Sequence, residues 1–223
     1  MSSRQEEKER RKREREERER AAAAKAKRGR LLQLIGGVIV ACAIVAGVAF
    51  AVSSGGGDGG DDVDDAKLGS AATAAGCTYR AFLEESRDHV VKKLTAADFK
   101  TNPATSGAHN PNPAPDGVYP AGNEPAIENW VHTLEHGRAL IQYRPGTDAA
   151  VVSQLQKLYE EDVKGSGGGY HSVLMQNNSK MPFQVAAVAW RHYVGCREFT
   201  PASIEAMRTF REEVIDKAPE KIP

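Results

Sequence analysis

The chain has 223 residues, enough for one ordinary domain with appendages but not for a second sizeable core. Its 30 Lys and Arg balance 30 Asp and Glu unevenly: Met1 to Arg30 holds 13 bases against 7 acids, Ser53 to Asp65 has five aspartates and no base, and the remainder has 17 bases against 18 acids. With no basic field on the folded part, nucleic acid is excluded as a partner.

Residues 1–30 form a charged segment of low complexity. Glu6 with Arg10, Glu14 with Arg18 and Glu16 with Arg20 fall at i,i+4 in the favourable order, which predicts a solvated helix. Its excess of bases also suits the anionic inner face of a membrane. Residues 31–52, LLQLIGGVIVACAIVAGVAFAV, contain only Gln33 as a strongly polar side chain. At helical rise they span about 33 Å, enough for a hydrocarbon core of roughly 30 Å, and are expected to form one transmembrane helix. A cleaved signal peptide, cut after Ala49-Phe50-Ala51, would have a shorter apolar segment of about 7 to 15 residues and a shorter leader. Bases before the span and aspartates after it predict a single-pass protein of the cell membrane, with a cytoplasmic N-terminus and an extracytoplasmic C-terminal domain. Residues 53–75, rich in Gly and Asp with little to bury, are expected to be a flexible linker.

The three cysteines fit that orientation. Cys42 lies in the apolar span, while Cys77 and Cys196 flank the outer domain and are expected to pair in an oxidising compartment. A redox or metal-binding thiol pair would call for Cys-x-x-Cys spacing, which neither has.

Residues 76–223 are expected to be one α+β domain, a small and mainly antiparallel sheet with two helices. Ala81 to Val91 leans to strand. Residues 98–125, DFKTNPATSGAHNPNPAPDGVYPAGNEP, contain six prolines and can sustain neither a helix nor a central strand, so a long irregular loop is expected, and such loops often carry function. Ala139 to Tyr143 reads as a strand ended by Arg144-Pro145-Gly146. Asp148 caps a helix whose stripe is Val151, Leu155 and Leu158, stopped at Gly165. HSVLMQ and FQVAAVAWRHYV read as strands, the second central. Thr200 and Pro201 open a helix with Ile204, Met207, Phe210 and Val214 on its buried face.

The chemistry-bearing stretch is His132-Thr133-Leu134-Glu135-His136. It matches the His-x-x-Glu-His pattern of inverted zinc peptidases, in which two histidines one turn apart hold zinc and the glutamate activates water. Asn123 as cap, Pro125 in the first turn and Gly137 as the stop permit a helix; an extended chain would still send residues 132 and 136 to one face. Glu135 shares their site only in the helical case. A peptidase also needs a third ligand and a cleft, and Gly137 ends the helix early, which weighs against a hydrolase. With His109 delivered by the irregular loop, three neutral imidazoles suit zinc or copper. His171 and Met175, on one face of the following strand, are additional candidate ligands that would favour copper, although such a methionine is more often core filler. His192 reads as a satisfied core histidine. No nucleophile elbow, phosphate loop or dinucleotide fingerprint is present, so nucleotide is excluded as a partner.

Several segments together resemble a bacterial family of single-pass membrane proteins with an uncharacterised extracytoplasmic domain. They are Asp88-His89-Val90, Thr105-Ser106-Gly107-Ala108-His109, Gly117-Val118-Tyr119, Val131 through Gly137 and Ala189-Trp190. Where the family shows Pro-Pro-Thr-Ser-Gly-Pro-His, this chain has Ala104 and Ala108 at two proline places, which predicts a looser loop around His109. The resemblance implies an architecture rather than a reaction.

The leading expectation is a membrane-anchored outer domain binding a transition metal through His109, His132 and His136, with Glu135 as fourth ligand or supporting group. The alternatives are a non-catalytic envelope scaffold that recruits protein partners and uses the histidines structurally, and a zinc-dependent hydrolase.

Overall fold

A computed structural model describes residues 63–220 and 222. The charged segment 1–30, the apolar span 31–52 and the linker as far as residue 62 lie outside the described residues. Among the described residues no helix is long and apolar enough to cross a membrane.

Order begins earlier than Gly76. Helix α1, Asp65–Ala74, is capped by Asp64, whose side chain accepts from the Lys67 N–H at 2.9 Å, and it buries Leu68 and Ala72 against the domain. The C-terminal part of the expected linker is therefore helix, because Leu68 and Ala72, one turn apart, supply the apolar stripe the upstream glycines lack. Strand β1 is Thr78–Ala81, antiparallel to the strand at His192–Cys196, and the chain then leaves regular structure, so the strand expected over Ala81 to Val91 is not formed. The proline-rich stretch is irregular as expected, preceded by a 3-10 turn at Ala96–Asp98 and interrupted by an isolated bridge at His109 and the two-residue strand β2, Gly117–Val118. Helix α2, Ile127–Glu135, has Ala126 rather than Asn123 at its N-cap.

Strand β3 is Ala139–Tyr143, helix α3 Ala149–Glu160, strand β4 Ser172–Gln176, strand β5 Val185–Ala189, strand β6 His192–Cys196 and helix α4 Pro201–Val214. Asp148 caps α3 by accepting from the Ala150 N–H at 2.7 Å. Helix α3 ends at Glu160, short of the expected stop at Gly165. The run FQVAAVAWRHYV folds as two strands, with Arg191 at φ 66° in the tight turn between them. The Ser203 hydroxyl accepts from the Thr200 N–H at 3.0 Å where α4 begins.

The six strands form one sheet in the order β1-β6-β5-β3-β4-β2. It is mixed: three of its five pairings are antiparallel, as expected of the greater part, while β3 with β4 and β2 with β4 pair in parallel. The cause is local, since α3 intervenes between β3 and β4, and a helical crossover returns the chain in the same direction. With α1 and α2 the described residues hold four α-helices where two were expected.

The central strands alternate between two cores. Ile141, Tyr143, Leu174, Val185, Ala187 and Val194 face α1, α3 and α4, meeting Leu155, Leu158, Met207 and Phe210. Leu140, Val173, Met175, Ala186 and Val188 face the other way, toward Trp130 and Leu134 of α2 and the irregular segment. Both faces being covered, the strands are apolar on both sides. A Cys77–Cys196 disulfide ties the start of β1 to the end of β6.

Candidate metal centre

The second face carries the chemistry. The irregular segment is fastened to it by backbone pairing: His89 and His109 form an isolated parallel bridge, with Val90 N–H donating to His109 O at 2.7 Å and His109 N–H to Asp88 O at 2.9 Å. It is also stitched along α2. Asn110 N–H donates to Glu128 O at 2.9 Å, Asn129 Nδ2 to Asn112 O at 2.6 Å, and Thr133 Oγ1 to Ala114 O at 2.8 Å. Gly107 is required where it stands: its φ is +125°, and a Cβ there would meet the Phe99 ring at 2.9 Å. These bonds fasten the loop around His109 to α2 and to residues 88–90, with Ala104 and Ala108 at the two proline places.

Three imidazoles thereby meet one helix end. Ring centroids of His89, His109 and His132 are 4.7 to 4.9 Å apart, and these residues with Glu135 each offer a ligand atom within 4.8 Å of the others. His132 and Glu135, three apart on α2, project to the same side because the stretch is helical. His109, His132 and Glu135 are buried; the His89 side chain is 44 % exposed. The Trp190 ring stands edge-on to His109 at 6.0 Å.

Proton positions follow from the partners. His109 Nδ1 lies 2.7 Å from Gly107 O, and His132 Nδ1 lies 2.6 Å from Asn110 O. A carbonyl only accepts, so both Nδ1 atoms carry hydrogen, and in the neutral ring each Nε2 presents a lone pair. His109 Nε2 stands 2.9 Å from Glu135 Oε2, and both atoms are buried without a hydrogen-bond partner. Two acceptors facing each other at that distance repel unless a cation, either a proton or a metal ion, sits between them. Pinning Nδ1 to a backbone carbonyl so that Nε2 is aimed is also how proteins orient metal-binding histidines.

The electrostatics agree. Burial lowers the His132 pKa; the bond to Asn110 O opposes this, while His109 and His89 add to it. His136 is lowered in the same way by burial and by His132. Burial pushes Glu135 upward, but the His109 contact and the neighbouring imidazoles outweigh it, so its pKa lies below the usual carboxylate value. With its pKa lowered His132 is neutral at neutral pH, and Glu135 is ionised, the protonation states in which each binds metal.

The residues expected from the pattern are placed as follows. His109, His132 and Glu135 are brought together, with Glu135 among the ligand atoms. His136 is not in that group: it caps α2, its ring centroid is 4.4 Å from that of His132, and its Nε2 faces Glu220 at 3.2 Å. His136 follows the last helical residue and approaches His132 and Glu220 rather than the group around His109. His89 completes the set instead. Its one signal in the sequence was the Asp88-His89-Val90 segment of the resemblance. His171 pairs with Asp216 at 2.6 Å, and Met175 is fully buried in the core beside the Gln142 amide; neither joins the site. His192 is satisfied as expected, its Nδ1 2.8 Å from the Tyr79 hydroxyl, which in turn contacts Asp65.

Fold and site together define an α+β domain in which a helix end and a pinned loop gather a His/Glu group able to hold a metal ion. Residues 89–222 match the family described as "Protein of unknown function (DUF3105)"; they make up more than half of the chain, which belongs to that family. The match starts at His89 and includes every residue of the group. No curated protein and no solved structure matches the chain.

Proposed function

We propose that this protein is a membrane-anchored extracytoplasmic domain that binds one transition-metal ion through His89, His109, His132 and Glu135. The observation that carries the reading is the buried pair His109 Nε2 and Glu135 Oε2, 2.9 Å apart and without hydrogen-bond partners, with the adjacent Nδ1–H held by Gly107 O. A metal ion resolves that repulsion and uses the lone pairs of His132 and His89 as well. Three imidazoles and one carboxylate are a tetrahedral zinc set and also suit copper(II); with Met175 in the core, the argument for a softer copper(I) site is gone. Four protein donors describe a closed site, and a Glu135 committed to ligation is not a base facing water, which disfavours the hydrolase. The outer location is supported by the apolar span 31–52, the charge asymmetry around it, and the Cys77–Cys196 disulfide.

The test is elemental analysis of the full-length chain after reconstitution with zinc or copper(II). About one equivalent is expected, lost in His132→Gln; no stoichiometric metal in the parent chain overturns the proposal.

One observation favours a second reading. The same 2.9 Å gap accepts a proton, which would make His109 and Glu135 a buried ion pair inside a scaffold that recruits envelope proteins. A chelator separates the two: it lowers the melting temperature of a metal-bound domain and leaves that of a metal-free scaffold unchanged.

A further inference from the structure

Beside the four-residue group lies a second one. His132, His136 and Glu220 each offer a ligand atom within 4.8 Å of the others, so His132 belongs to both. The second group is built by the C-terminal tail. Asp216 N–H donates to Gly137 O at 3.0 Å, Glu220 N–H donates to Glu135 O at 3.1 Å, and Arg138 Nη1 donates to Ile222 O, which straps residues 216–220 and Ile222 across the end of α2. That strap sets the Glu220 carboxylate 3.2 Å from His136 Nε2. His136 also lines a cleft of about 270 Å³ with Pro113, Asp116, Thr133, Arg138 and Ile222, and the Glu220 side chain is 42 % exposed. The outer group therefore meets solvent where His109 and Glu135 do not.

His132 cannot serve two ions at once. Its Nδ1–H is committed to Asn110 O, which leaves a single lone pair. Occupancy of the two groups is mutually exclusive, and an ion moving from one to the other would keep His132 as its common ligand. The inner position is the stronger: it has four donors against three, and all of them but His89 are buried, whereas Glu220 of the outer group is 42 % exposed.

We infer that His136 and Glu220 form a transient outer loading position, from which a divalent transition-metal ion passes inward about His132 to the buried His89/His109/Glu135 set. The inference rests on the metal reading above and adds its route. Glu220 supplies the charge that attracts the hydrated cation, His136 and His132 replace water ligands, and the ion ends where the buried acceptors need it.

The probe is cobalt(II), whose visible absorption reports a tetrahedral nitrogen and oxygen set, mixed rapidly with the metal-free full-length chain. Neither His136 nor Glu220 belongs to the inner group. Glu220→Gln and His136→Gln are therefore expected to slow loading by about tenfold or more while final stoichiometry stays at one and equilibrium affinity stays within about threefold. Glu220→Asp should recover much of the rate, which a role confined to fixing the tail would not explain. Loading at the parent rate in both glutamine variants overturns the inference and leaves uptake directly past the exposed His89. Two equivalents in the parent chain, falling to one in His136→Gln, overturn it in favour of a two-ion centre. Failure of the parent chain to take up any metal would remove the underlying reading as well.

Discussion

The two faces of the sheet are built on different physics. The face under α1, α3 and α4 is closed mainly by aliphatic and aromatic burial, with the Arg211 guanidinium buried against Leu158 O and Ser172, and His192 hands its polarity to Tyr79 and Asp65. The face under α2 is closed by an irregular segment whose backbone groups bond to a helix and to one another, and it buries His109 and Glu135 with facing atoms left unpartnered. A fold tolerates such a pair where a bound cation offsets its cost. The first face is closed by packing, and the second carries a His/Glu group that could hold a metal ion.

The largest test of that contrast is Phe210→Ala, which empties the first face. A loss of about 3 to 5 kcal/mol in denaturant unfolding is expected, with metal stoichiometry unchanged in the molecules that remain folded. The next is pH. Burial holds the His192 pKa down to about 4, below its ordinary value of 6.5, although Asp65 pulls the other way. The unfolded chain therefore binds the proton first as pH falls. The stability held in the neutral ring is full above pH 6.5, declines between 6.5 and 4 and is gone below, by at most about 3 kcal/mol. Urea unfolding at stepped pH, compared with His192→Asn, isolates that share; a parent and variant with parallel pH curves would refute it.

On the second face Glu135→Gln should uncouple fold from ligand. Its amide can donate to His109 Nε2, so the metal-free domain should keep its stability or gain up to about 1 kcal/mol, while metal affinity falls by about tenfold or more. Marked destabilisation of the metal-free variant would mean that the native pair is already joined by a proton. The smallest effect is at Asp148, where Asp148→Ala should cost about 1 kcal/mol through loss of the α3 cap and leave metal binding untouched. Thermal melts with and without added zinc check both parts.

Much of the first face was legible along the chain. The stripe Leu155 and Leu158, the Asp148 and Thr200 caps, the Pro201 start and the apolar strands are short-range signals, and each leads to the element found. Mixed pairing was not legible in the strands themselves, because strand direction depends on the connection rather than on the residues paired. Helix α1 was hidden by the glycine and aspartate run before it, since two buried side chains are a weak stripe. At the site, His109, His132 and Glu135 could be named from ligand spacing and from the unusual loop, but His89 and Glu220 could not. Both are exposed in part and distant in sequence, and only the bridge to His109 and the tail across α2 bring them near.

The amino-acid sequence alone determined strands β3 and β4, the starts of α3 and α4, the pairing of Cys77 with Cys196, and the residue types available to a metal, because capping, periodicity and donor chemistry act over a few residues or follow from identity. The tertiary structure alone decided which histidines converge, that His136 turns to Glu220, and that His171 and Met175 stand apart. Ligand atoms must meet within a few ångströms, and that distance is set by how the loop and the tail dock on the end of α2.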